Sequence, residues 1–109
     1  MKGPLQICYH ATNITNAASI LEKGFNPNTC FAIGLEDAVG YGRGNHVFEV
    51  VFTQKGLEKV DWQFWTSKRV LPSRIVGHYT FKRKVFFNNE RLRERIRKSN
   101  EKAISSTKS

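Results

Sequence analysis

The chain has 109 residues, 39% of them hydrophobic, with eight Phe, two Trp and three Tyr. That is enough apolar material for one core, and it excludes global disorder. Its formal net charge of +9 at pH 7 favours anionic partners over cationic ones. No apolar run approaches the roughly 20 residues of a membrane span, and there is no signal-peptide-like apolar stretch near Met1. The expectation is therefore a cytoplasmic protein with no membrane partner. Cys8 and Cys30 could form one bridge, but without a secretion signal a reduced pair is expected. No CxxC, zinc-spaced His/Cys cluster or internal repeat occurs, so no metal is expected. The charge is uneven: from Lys82 onward ten Lys/Arg face three Glu, which gives the C-terminal quarter most of the positive field.

Residues 5–10 read as a strand, followed by Asn13 or Thr12 as a helix N-cap. Ile14, Ala17, Ala18 and Leu21 recur at helical spacing and predict one buried face. Lys23 and Gly24 close that helix, and Phe25 packs back on it. Asn26-Pro27-Asn28 is a turn. Residues 29–33 form a short apolar strand, with Cys30 expected as a small buried hydrophobe. Gly34 breaks the strand. Residues 35–41 begin a second helix with Glu36 and Asp37 in its first turn, where the helix dipole favours acids. Gly42-Arg43-Gly44-Asn45 is a loop.

Residues 46–53 give the clearest strand, with apolar side chains on both faces except for Glu49, an acid that needs a partner. Residues 60–66 form an aromatic strand or strand-loop in which Trp62 and Trp65 are expected to pack in the core or over its rim. Pro72 stops it. Residues 74–81 and 84–87 read as two strands around Lys82-Arg83. Asn88 or Asn89 caps a basic final helix with a thin apolar stripe of Leu92, Ile96 and Ala103, and residues 105–109 are expected to fray. The class is α+β: residues 1–87 as one domain, 88–109 as a basic helix and tail.

Several separated features together resemble one family. Tyr9-His10-Ala11-Thr12, then Ala17 and Ile20-Leu21 with Gly24-Phe25, then Cys30-Phe31-Ala32, then Ala38-Val39-Gly40-Tyr41-Gly42 resemble the NAD-binding half of ADP-ribosyltransferases of the diphtheria-toxin and poly(ADP-ribose) polymerase type. The resemblance runs without gaps over residues 9–42 and more loosely beyond His46. It implies a compact fold of split antiparallel β-sheets with short helices and NAD as co-substrate. His10 would bond the ribose next to the adenine, and Thr12 would lie near that sugar or the nicotinamide carboxamide. The Ala11 backbone would read the carboxamide, and Tyr41 would stack on the nicotinamide ring. Arg43, in its glycine-flanked loop, is either a pyrophosphate contact or an exposed loop arginine. Phe31 belongs to the same cofactor-binding set.

Three departures stand out. Cys30 replaces a family tyrosine, Ala11 replaces a glycine, and no Glu occurs between Lys59 and Phe81, where the family's catalytic acid is expected. The catalytic role then falls to Asp61, Gln63 or Thr66. The implied activity is mono-ADP-ribosylation of a macromolecule, an acidic protein or nucleic acid engaged by the basic C-terminal segment. The alternatives are an inactive NAD- or ADP-ribose-binding module and a basic nucleic-acid-binding domain carried by residues 82–102.

Overall fold

A computed structural model describes residues 4–41, 44–57, 60–80 and 85–107, with the backbone alone at 41 and 103–107. The chain is α+β. Its strands are β1 (Leu5–Thr12), β2 (Cys30–Ala32), β3 (His46–Thr53), β4 (Gln63–Trp65), β5 (Ile75–Thr80) and β6 (Val85–Asn88). Its helices are α1 (Ile14–Lys23), α2 (Leu35–Tyr41) and α3 (Glu90–Thr107). The strands form one antiparallel sheet in the order β4-β2-β1-β3-β5-β6.

The pairing is uneven. β1 runs against β3 from Leu5–Thr53 to Thr12–His46 without a break, but it meets β2 only at Tyr9–Ala32. Apolar alternation puts a core on each face of the sheet. Phe25, Phe31, Phe48, Val50 and Ile75 bury one face under α1. Leu5, Val51, Val76 and Ile96 bury the other under α3.

The caps form as the residue types dictate. Asn13 Oδ1 accepts from Asn16 N at 2.8 Å, and Gly24, at φ 81°, closes α1 by donating its N–H to the Ile20 carbonyl. A Cβ on Gly24 would stand 2.1 Å from the Val70 carbonyl oxygen, so only glycine lets Phe25 and Val70 bridge there. The buried face of α1 differs from the expected one. Ala17 and Ile20 are its buried residues, whereas Ile14 is 72% exposed and Leu21 is also exposed. The bridge at Phe25–Val70 fixes the helix exit and turns the 17, 20, 24 line inward.

Two further expectations are corrected by strand alternation. Cys30 is exposed, because Phe31 next to it takes the inward position. Trp65 is 64% exposed, while its neighbour Phe64 packs against Phe31 and Phe52. The final helix extends to Thr107, and the last two residues of the tail expected to fray lie outside the described residues. Asn89 is its cap, accepting from Leu92 N at 3.1 Å. Leu92 and Ile96 dock on the sheet, and the Ala103 side chain lies outside the described residues.

Polar groups complete this docking. Glu49 finds the partner its burial requires in Arg93 of α3 and also accepts from the Tyr79 hydroxyl. Burial and the Glu49 charge push the Tyr79 hydroxyl pKa up. Asn100 accepts from Leu5 N at 2.6 Å and donates to the Leu5 carbonyl at 3.1 Å, so one side-chain amide serves both backbone groups of the first strand residue. No helix among the described residues is long and apolar enough to cross a membrane.

Candidate functional site

Beyond Tyr9–Ala32, β1 and β2 diverge, and a cleft of about 410 Å³ opens between them, within the size range of small-molecule sites. β1 supplies Tyr9, His10, Ala11 and Thr12 to its walls, and α1 supplies Asn16. β2 supplies Cys30, Phe31 and Ala32, α2 supplies Asp37 and Ala38, and the segment entering β4 supplies Trp62 and Gln63.

Each side chain is held by a local cause. The Cys30 carbonyl lies 2.8 Å from His10 Nδ1. A carbonyl only accepts, so Nδ1 carries the proton and Nε2 keeps its lone pair. The imidazole stands edge-on to Phe25, 5.4 Å between centroids, and 5.8 Å from Phe31. Burial holds its pKa below the ordinary histidine value, and the bond to Cys30 opposes that shift. At neutral pH His10 is therefore an uncharged acceptor, suited to a hydroxyl.

Thr12 is buried, and its Oγ1 accepts from Asn16 Nδ2 at 3.2 Å. Gly44 presses on the same turn: a Cβ there would come within 2.2 Å of the Thr12 carbonyl oxygen. Ala32 pairs with Gln63, and the Ile33 N–H donates to the Trp62 carbonyl at 2.9 Å. That backbone zip brings the β4 approach to the cleft.

The expected site residues separate into three groups. His10, Ala11, Thr12, Phe31 and Gln63 line the one cleft. The Phe31 ring itself sits in the core against Phe25 and Phe52. Asp61 is exposed and outside the cleft walls. Thr66 lines a different hollow, where its carbonyl accepts from Asn28 N at 2.7 Å. The Tyr41 side chain and the whole of Arg43 lie outside the described residues.

The cleft also holds Ala38, part of the motif that carries the resemblance, and two side chains given no site role from the sequence, Asn16 and Asp37. Asp37 has a sequence signal, since an acid in the first turn of a helix that follows a site strand is aimed near that strand's end. Asn16 has none beyond its place four residues after Thr12.

A pair of histidines lies on the other side of β1. His46 pairs with Thr12 across the sheet. His46 Nε2 is 2.9 Å from His78 Nδ1, and both rings are buried against Phe48. Burial holds both pKa values down, and for His78 the charge of His46 adds to it. The thiol of Cys8 is buried and pushed up to about 12, whereas Cys30 is free and exposed. Among the described residues no group of His, Cys, Asp and Glu forms a metal site.

No protein-family model, curated protein or solved structure matches this chain.

Proposed function

We propose that the protein is a small NAD-dependent mono-ADP-ribosyltransferase that modifies a macromolecular target. One observation carries this reading: a neutral His10, Thr12 and Gln63 share a single cleft where the sheet is joined by one residue pair. The split β-sheets expected of such enzymes are here one continuous six-stranded sheet, joined between β1 and β2 at Tyr9–Ala32 alone because that edge opens into the cleft.

In this reading NAD lies in the cleft with a ribose hydroxyl donating to His10 Nε2. The carboxamide meets the backbone of Ala11 and the hydroxyl of Thr12. The bond between ribose and nicotinamide breaks with its electron pair leaving on nicotinamide. A nucleophile of the target then bonds to the ribose carbon and releases its proton to solvent. Gln63 orients the ribose, and the Asp37 carboxylate lies on the cleft wall where it balances developing positive charge. Catalysis of this kind works by orientation and preorganised electrostatics rather than by a strong base. The basic C-terminal segment, with Arg91, Arg95 and Lys98 exposed on α3, draws in an acidic target.

A second reading is favoured by one specific observation. β4 offers an amide, Gln63, where a catalytic carboxylate is expected, which suits a module that binds NAD or ADP-ribose without cleaving it. Labelled NAD, incubated with the protein and total cellular protein and RNA, separates the two. Transfer that His10→Ala abolishes and that Gln63→Ala lowers by about 100-fold or more, the scale of a lost electrostatic group, supports the enzyme. NAD-dependent thermal protection that requires His10, without transfer, supports the module. If neither appears, both NAD readings fall.

A further inference from the structure

A hollow of about 590 Å³ lies beyond β4, bounded by the end of β3, the turn at Gly56-Leu57 and residues 64–71. Its character differs from that of the cleft. Trp65 and Leu71 stand exposed at its wall, 64% and 58% accessible. Lys68, Arg69 and Arg74 contribute three cations, and no described lining residue is acidic. Arg69 is structural, donating to the Lys23 carbonyl and to Asn26 Oδ1, both at 3.1 Å. Those bonds hold the loop that carries Lys68, which follows Trp65 at the end of β4. The Arg74 guanidinium lies 5.9 Å from the centre of the Phe52 ring, and neither Lys68 nor Arg74 has a carboxylate partner among the described residues.

The C-terminal helix is less available than its composition suggests. Its Arg93 is committed to Glu49, and its Arg97 to Glu94 and Glu101. In the hollow, two cations without a carboxylate partner among the described residues lie beside an exposed indole.

We propose that this hollow binds single-stranded nucleic acid, with a base stacked on Trp65 and backbone phosphates held by Lys68 and Arg74. An exposed flat aromatic beside cations is what unpaired bases and their phosphates require. A duplex hides the base faces, and an acidic peptide has no use for the indole. Gln63 and Trp65 are two residues apart on β4, roughly 7 Å along a strand. A strand seated in the hollow therefore passes close to the cleft, which deepens the transferase reading by naming its target class. The binding itself does not depend on that reading.

The test measures fluorescence anisotropy of labelled oligo-dT and oligo-U with the intact protein and no NAD, so the result stands or falls apart from any transfer activity. Trp65→Ala should weaken binding by about 5- to 100-fold, the effect of losing one stacked base, and Trp65→Phe should restore most of it. Lys68→Gln with Arg74→Gln should reduce the slope of log affinity against log salt by about 1.4, roughly 0.7 for each lost phosphate contact on a single strand. Circular dichroism melts of the exposed-site variants should match the parent. Unchanged affinity in Trp65→Ala overturns the proposal. So does affinity that follows Arg91→Gln/Arg95→Gln/Lys98→Gln alone, or a polyglutamate probe bound as tightly and with the same Trp65 dependence.

Discussion

The two sides of β1 teach the most when set side by side. Toward β3 the strand is paired along its whole length, and toward β2 it is paired at Tyr9 alone. The paired side fixes where His10 and Thr12 stand. The open side leaves room for a ligand to take the place that a neighbouring strand would occupy. Precision and access are thus supplied by opposite edges of one strand, and a symmetric sheet would have to give up one of them.

The most severe way to break this contrast is to remove the ring beneath both sides. Phe25 is fully buried and touches His10, Phe31 and Phe48. Phe25→Ala should cost about 3–5 kcal/mol, the usual range for a large buried aromatic, read as a lower urea midpoint. Next comes Gly24→Ala, which forces a side chain into a left-handed position against Val70. A loss of about 1–3 kcal/mol is expected.

Gly44→Ala should divide the two edges more finely. Its Cβ would displace the Thr12–Asn13 turn, so NAD-dependent thermal protection should fall more than the stability of the free protein. Equal losses would mean that the turn belongs to the rigid ladder and not to the open seam.

A pH titration separates the same two sides. His46 and His78 on the ladder side and His10 at the seam all have folded pKa values below the ordinary one. Between the folded values and about 6.5 the unfolded chain binds more protons. Their stabilising contribution is therefore complete above about pH 6.5 and declines as pH falls through the folded values. Urea midpoints measured downward from pH 7.5 should drop. His46→Gln/His78→Gln should flatten that drop more than His10→Gln does.

The smallest effect is chemical. Iodoacetamide should modify exposed Cys30 and spare Cys8, whose thiol is buried and pushed up to about 12. Because Cys30 lines the cleft, NAD should slow its modification by several-fold. Peptide mass spectrometry reads both outcomes.

The sequence made much of the frame legible. β3 spans residues 46–53 as its alternation predicts, Asn13 and Gly24 cap α1, and the partly buried Glu49 has the partner its burial demanded. These features are local, or follow from one residue's chemistry. The expected burial of Ile14, Leu21, Cys30 and Trp65 failed because facing is decided by partners far along the chain. Val70 sets the exit of α1, and the β2–β4 pairing turns Phe31 and Phe64 inward. Within the cleft, His10, Thr12 and Gln63 are the residues that the family resemblance singles out and that the fold brings together. That Asp61 and Thr66 stand outside the cleft depends on the pairing of Ala32 with Gln63, which no local pattern encodes.

The amide grip of Asn100 on Leu5 joins residues 95 positions apart. It gives the molecule a temporal order. On a ribosome the strand bearing His10 is made before α3, so its opening residue finds this partner only after α3 has followed. The first strand is therefore secured at its start by a helix that is made long after it and that takes no part in the cleft walls.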